Sequence, residues 1–157
     1  MDKFIKKIIK EAGKIVLTKY KKCSVLYFKN DISDKVCEAD VLVNNYLRKK
    51  IKEKYPTHAI ISEEDIYKKG SEYTWVIDPL DGSRNFINEV PCFVIMICVI
   101  FNNSVIISAI YDPIHGNLFF AQKNTGAFCN NVLIRCSKKY NFVNSSQWFS
   151  TLATPSP

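Results

Sequence analysis

Carboxylate residues occur in three separate segments of the sequence. Two of these segments, Glu63–Glu64 and Asp78 to Asp81, each follow directly on a short apolar run that predicts a β-strand. The third carboxylate, Asp40, lies within a run of helical periodicity. Oxygen-rich sets of this kind suit Mg²⁺, which prefers carboxylates and retained waters. Because metal sites often form where strand ends from different segments meet, the three segments together predict a divalent metal site.

The segment from Asp78 to Ser83, Asp-Pro-Leu-Asp-Gly-Ser, indicates what a metal would do here. Pro79 fixes the backbone directly after the strand and Gly82 permits a tight turn, so that the two carboxylates converge on one point. Ser83 and the backbone amides after Gly82 could begin a short helix, whose N-terminus attracts phosphate. A metal beside phosphate-binding amides predicts phosphoryl chemistry.

Each of these segments, taken alone, has a commoner structural explanation. Two aspartates three residues apart arise by chance, and Asp-Gly is an everyday turn. An acidic loop such as Glu63–Glu64 is most often solvated, and a lone Asp40 on a helix is most often a surface residue. Only the joint arrangement favours chemistry.

Two helices precede the strands that must position these residues. Apolar residues recur at helical spacing over residues 2–20 and again over residues 38–55, where Pro56 ends the second helix. The polar stretch around residues 29–34 predicts a loop or a short hairpin. Strand-type runs follow at 58–61, 73–77, 92–111 (a hairpin) and 117–122, with a Gly-containing turn at 124–126. This order predicts an α+β fold, with layered helices packed on a mostly antiparallel β-sheet.

The segment Val90–Tyr111 has no charged residue and is long enough to span a bilayer. However, Asn102 and Asn103 lie in its middle, and Val and Ile predominate on both sides. Two buried strands joined by a tight Asn-Asn turn fit better than a membrane helix. We therefore expect no membrane association.

The basic excess is confined to the first third of the chain. The 157 residues carry a formal net charge of +7, and residues 1–54 hold 15 Lys and Arg against 7 Asp and Glu. Lysine along an amphipathic helix is usually a solvated face, so nucleic acid is not the expected partner. The six cysteines form no CxxC pair and predict reduced thiols in a cytoplasmic protein. Lysine interrupts every apolar stretch near the start, which predicts no secretory signal.

Several motifs occur together in the order in which they occur in one enzyme family. The stretch Trp75–Phe86 closely resembles the signature of the inositol monophosphatase family, and Ile61–Asp65 is similar to its first metal-binding motif. Glu38-Ala39-Asp40, downstream of Lys29, matches a third feature. Two further segments resemble the family's core strands, especially in bacterial members of the extragenic-suppressor type: Ile110–Pro113 and Thr125–Phe128. The resemblance implies the N-terminal half of the sugar-phosphatase fold, which inositol monophosphatases share with fructose bisphosphatases.

The resemblance also implies a role for each matching residue. The implied metal ligands are Glu63, Asp78, Asp81 and the carbonyl oxygen of Leu80. The implied catalytic residues are Asp40, Glu64 and Ser83, and the implied phosphate-binding amides are those of Gly82 and Ser83. The implied cofactor is Mg²⁺, as two or three ions, with inhibition by Li⁺. The implied reaction is in-line attack of a metal-activated water on a phosphate monoester of inositol or a similar small sugar.

The family's second half has no counterpart in the sequence. No Asp or Glu follows Asp112, and the family's Trp-Asp motif is not found, since Trp148 is followed by Phe149. We expect residues 1–138 to form the metal-binding half and residues 139–157 to be a polar, poorly ordered tail. We also expect weak or absent activity for this chain alone, and either a homodimer or a complementing chain as its partner.

Two other functions stay open at this point. Arg84–Ile87 is closer to the inositol phosphatase pattern than to that of a bisphosphate nucleotidase or a histidinol-phosphate phosphatase, which are the neighbouring enzymatic alternatives. The non-enzymatic alternative is a catalytically inactive domain that binds a partner protein, or RNA through its basic N-terminal helices.

Overall fold

The computed structural model describes residues 1–22, 25–28, 35–62, 66–67 and 72–136. The helices in these ranges are α1 (Asp2–Lys19), α2 (Glu38–Lys54) and α3 (Ser83–Ile87). The strands are β1 (Val25–Phe28), β2 (Lys35–Cys37), β3 (Ala59–Ser62), β4 (Ile66–Tyr67), β5 (Tyr73–Asp81), β6 (Val94–Phe101), β7 (Ser104–Asp112), β8 (Asn117–Gln122), β9 (Gly126–Cys129) and β10 (Val132–Ile134). The predicted α+β class is confirmed.

One large sheet forms the centre of the described structure. Its strand order is β10-β9-β8-β7-β6-β5-β3-β4, and β1 and β2 form a separate antiparallel hairpin. Neighbouring strands of the described sheet are antiparallel, except that β3 and β5 run parallel. This exception places the ends of β3 and β5 at the same edge of the sheet. The mostly antiparallel sheet predicted from the sequence is confirmed.

Both long helices pack against one face of the sheet, because each carries an apolar stripe. Ile5 and Val16 of α1 are fully buried, and so are Val43 and Leu47 of α2. The sheet contributes alternate residues to the same core, which include Trp75, Ile77, Ile95, Ile97 and Val99. Each large side chain buried in this way stabilises the fold by about 1.5–3 kcal/mol.

The opposite face of the sheet is also apolar but remains partly open in the described structure. The strand register aligns Asp78, Met96, Ile110 and Phe119 as one row across β5 to β8. Paired residues of neighbouring strands share a face. The side chain of Phe119 is 40% exposed, and the other members of the row are intermediate in burial. We call this surface, which faces away from α1 and α2, the open face.

The hairpin predicted in the uncharged segment is present. It consists of β6 and β7, and the turn residues Asn102 and Asn103 have φ angles of 46° and 58°. Asparagine tolerates this left-handed conformation, which a two-residue hairpin turn requires. None of the described helices is long and apolar enough to cross a membrane.

The structure extends one of the predicted strands, and two other predicted segments lie outside the described residues. The strand predicted over 73–77 continues through Pro79 to Asp81, because an irregularity in its pairing accommodates the proline. The polar tail predicted over 139–157 lies outside the described residues, as does the loop predicted at 29–34.

Candidate active site

A β-bulge at the end of β5 brings its two aspartates to one side. Asp78 pairs with Met96 and Asp81 pairs with Val94, so three steps along β5 oppose two steps along β6. In a regular strand, residues three apart face opposite sides of the sheet. The extra residue of the bulge places these two positions on the same side. Asp78 is half-buried and Asp81 is exposed. The bulge thus puts both aspartates on one side of β5, which the predicted convergence requires, while their convergence on one point stays a prediction.

The turn after this bulge requires glycine. Gly82 has a φ angle of +88° and forms the N-cap of α3. A Cβ atom at this position would lie 2.8 Å from the carbonyl oxygen of Cys92. Both the left-handed conformation and the close approach of the backbone exclude a larger residue without strain. The chain therefore turns sharply enough to bring the Ser83 hydroxyl back to the carbonyl oxygen of Leu80.

Ser83 connects this turn to the second helix. Its Oγ atom lies 2.8 Å from Asp40 Oδ1 and 2.8 Å from the carbonyl oxygen of Leu80. A hydroxyl group has one hydrogen, and an ionised carboxylate is the stronger acceptor. The hydroxyl of Ser83 therefore donates to Asp40, and the carbonyl oxygen of Leu80 keeps its lone pairs for another donor or a cation.

Asp40 is buried, and the interpretation of it as a surface residue is wrong. It lies in the first turn of α2 with 3% of its surface exposed. Its Oδ2 atom accepts a hydrogen bond of 2.9 Å from the backbone N–H of Cys37. This bond belongs to a capping box, and the positive end of the helix dipole stabilises a carboxylate at this position. The capping arrangement explains why a carboxylate can be buried here.

A second polar contact joins α2 to the end of β3. Asn44, one turn after Asp40, accepts a hydrogen bond of 2.7 Å from the hydroxyl of Ser62, and both side chains are buried. Ser62 is paired with Ile77 of β5 in parallel register. The next residue along each strand is a predicted metal ligand, Glu63 on one and Asp78 on the other. Glu63 and Glu64 lie outside the described residues, so their predicted roles stay predictions.

The donors that are described fit Mg²⁺ by their chemistry. Asp78, Asp81 and the carbonyl of Leu80 are all oxygen donors, which suits a hard cation that keeps several waters. In the part of the chain that the structure describes, no three His, Cys, Asp or Glu side chains are grouped so that they could hold a metal. The further predicted ligand, Glu63, lies outside the described residues.

Sequence reasoning missed Asn44 and Ser62. The available signal was that two polar residues, Asp40 and Asn44, lie on the same helical face as the apolar core residues of α2. Residues four apart on a helix are neighbours, so a buried polar pair at this spacing implies partners on another element. The contact between distant segments could not be read from local pattern.

A charged groove of about 590 Å³ lies between α1 and α2, and none of the predicted site residues lines it. Its lining includes Lys3, Lys7, Lys50 and Lys54, together with Glu11 and Glu53. Lys50 Nζ lies 3.6 Å from Glu53 Oε2, and the ammonium of Lys54 lies 4.7 Å from the ring centre of Phe4. Carboxylates therefore offset part of the positive charge, and the groove does not favour RNA over a solvated helix surface.

Comparison with known proteins places this geometry in context. The family model for the inositol monophosphatase family matches residues 1–155. The inositol monophosphatase of Dictyostelium discoideum is 35% identical over 134 residues, which is 83% of this chain and 49% of that protein. The Nus factor SuhB of Haemophilus influenzae is 35% identical over 139 residues, covering 87% of this chain and 52% of that protein.

The fold comparison agrees with the sequence comparison. The solved structure of an inositol monophosphatase from Thermotoga maritima has a TM-score of 0.82 at 28% identity, and the match covers 88% of this chain and 55% of that one. The chain thus spans about half the length of the curated relatives it matches. Over that half it retains the family's helices and sheet, and it belongs to the inositol monophosphatase family.

Proposed function

We propose that this chain provides the carboxylate half of a Mg²⁺-dependent phosphomonoesterase that acts on inositol phosphate or a similar small sugar phosphate. The observation that carries the proposal is the connection of Asp40, Ser83 and the bulged Asp78–Asp81 segment at one edge of the sheet. Glu63, Asp78, Asp81 and the Leu80 carbonyl would hold the metal. When bound, Mg²⁺ lowers the pKa of a water and stabilises a leaving alkoxide.

The protein groups would orient the attacking water and the phosphate. Because the hydroxyl of Ser83 donates its hydrogen to Asp40, the lone pairs of its oxygen are available to accept a hydrogen bond from a water. Such a bond would orient the water and polarise its O–H bond, which makes its oxygen a better nucleophile. The amides of Gly82 and Ser83 would donate to phosphate oxygens, and Glu64 would act less directly through the hydration shell.

The open face of the sheet supports a partner that completes the enzyme. The row of residues on this face begins at Asp78, a predicted metal ligand, and continues across apolar side chains to the partly exposed Phe119. Contiguous apolar surfaces that remain partly exposed often mark interaction sites. We propose that a polypeptide equivalent to the rest of the relatives, in this chain or in another, packs there. A second copy of the chain is the other proposed occupant.

Phosphate release from inositol 1-phosphate under saturating Mg²⁺ tests the enzymatic proposal, with and without Li⁺. Turnover that Li⁺ inhibits and Asp81→Asn abolishes would show that the described half, alone or as an oligomer, forms a working site. Glu53→Gln, a charge change on α2 far from the carboxylates, should retain the wild-type rate. Turnover that persists in Asp81→Asn would refute the assignment of the site. A bisphosphorylated nucleotide or histidinol phosphate as the better substrate would favour the neighbouring enzyme classes.

A non-enzymatic role is the second candidate, because three of the relatives are named Nus factors. Under this proposal the chain binds a partner protein or RNA, and the carboxylates are dispensable. An affinity-capture experiment with wild-type protein and Asp81→Asn distinguishes the two roles. Equal capture of one specific partner by both forms, without turnover by either, would favour the binding role.

A further inference from the structure

Helix α2 contacts both strand ends that carry predicted metal ligands. Asp40 accepts the hydrogen bond from Ser83, which follows the end of β5, and Asn44 accepts the hydrogen bond from Ser62, the last residue of β3. The two acceptors are four residues apart and lie on the same face of the helix. One rigid element therefore fixes two strand ends relative to each other.

The contact between Asn44 and Ser62 has the properties of a constraint. Asn44 is 6% exposed, Ser62 is 5% exposed, and their oxygens are 2.7 Å apart. A buried polar pair is held more strongly in one geometry than an exposed pair, since neither group can exchange its partner for water. The hydroxyl of Ser62 therefore holds the end of β3 against α2.

The register between β3 and β5 places this hydrogen bond close to the predicted metal ligands. Ser62 is level with Ile77 in the parallel pair, so the bond acts one residue before β5 reaches Asp78. It likewise acts one residue before Glu63 in the sequence. A shift of the β3 end would change the separation of the two strands where both predicted ligands follow.

We propose that Asn44 is a positioning residue, which acts through Ser62 to fix the end of β3 and thereby sets the Mg²⁺ affinity of the carboxylate site. This inference rests on the proposed function, because it requires Glu63 and Asp78 to bind the same metal site. Groups that orient metal ligands from outside typically change metal affinity by about 10–100-fold when they are removed. Because Asn44 acts through backbone, we expect the lower limit, about tenfold.

The test is the Mg²⁺ dissociation constant of the full chain, measured by titration calorimetry. Asn44→Ala and Ser62→Ala should each weaken binding about tenfold, and adding Asn44→Ala to Ser62→Ala should weaken it little further, since the bond between the two side chains is already lost. Ser62→Thr keeps the hydroxyl and should bind within about twofold of wild type. Asn45→Ala, the exposed neighbour on α2, is the matched control and should bind as wild type does.

Thermal unfolding of each variant separates positioning from stability. Ile51→Val, a buried change on α2 away from the site, lowers stability without altering the contact. If the affinities of the Asn44 and Ser62 variants match those of wild type and Ile51→Val, the inference is overturned. Should Asn44→Ala fail to fold, Ser62→Ala, which removes a single oxygen, decides the question. Absence of Mg²⁺ binding by the wild-type chain would overturn the proposed function, and this inference with it.

Discussion

Removing the hydroxyl of Ser83 should destabilise the fold even where no substrate is present. In Ser83→Ala, the buried Asp40 loses the donor at 2.8 Å from Oδ1, while the Cys37 N–H still donates to Oδ2. A hydrogen bond to a charged group contributes about 1.5–3 kcal/mol, and a buried acceptor left without its donor incurs a desolvation penalty of similar size. We therefore expect the free energy of unfolding to fall by about 2 kcal/mol.

Urea denaturation followed by circular dichroism measures this loss. For a chain of this length, 1 kcal/mol corresponds to about 2–4 °C in Tm, so Ser83→Ala should melt roughly 4–8 °C lower. Ser83→Thr keeps the hydroxyl and should lie close to wild type. In the background Asp40→Ala, removal of the Ser83 hydroxyl should cost less, because its charged acceptor is gone and only the neutral carbonyl oxygen of Leu80 remains. Equal losses in both backgrounds would show that the two side chains are not coupled.

Two further predictions concern pH and backbone conformation. Burial lowers the pKa of His58 below its ordinary value of 6.5, and its Nδ1 atom accepts a 2.9 Å hydrogen bond from the Trp75 indole N–H. The unfolded chain then binds the proton more readily than the folded chain. The contribution of His58 to the free energy of unfolding should therefore be constant above about pH 6.5 and fall as the pH drops towards the folded pKa, and His58→Gln should lack this step. Gly82→Ala should cost about 1–3 kcal/mol, because its Cβ would approach the carbonyl of Cys92 at a positive φ; a melting temperature equal to wild type would contradict this.

Local patterns in the sequence predict the elements of this fold well. The apolar periodicity of α1 and α2 locates both helices to within a residue or two, because each must bury one stripe. The Asn102–Asn103 turn is equally local, since few residues adopt its conformation. These features depend on neighbours in the chain and therefore leave a clear pattern.

Contacts between distant segments leave no such pattern. The sequence does not indicate that β3 pairs with β5 in parallel while β4 forms the sheet edge, because this order depends on how the whole sheet packs. The bulge after Asp78 was also not predicted, because Pro79 usually ends a strand. The bond from Ser62 to Asn44 spans elements of different type and shows only as polar residues on an apolar helical face.

In the candidate site, too, the residue types could be predicted from the sequence, whereas the features that depend on distant segments could not. The sequence and the family resemblance select Asp40, Asp78, Asp81 and Ser83, and the structure brings these residues to one edge of the sheet. Their chemical roles stay predictions, as do those of Glu63 and Glu64. The burial of Asp40 could not be predicted, because it depends on the capping box formed with Cys37.

A Mg²⁺ titration of the wild-type chain and of Asp78→Asn tests whether the end of β5 binds a metal. If the bulged carboxylates belong to a metal site, wild type should bind Mg²⁺ and Asp78→Asn should bind at least about tenfold more weakly, while Glu53→Gln binds as wild type does. Equal binding by wild type and Asp78→Asn, or no binding by wild type, would contradict the account.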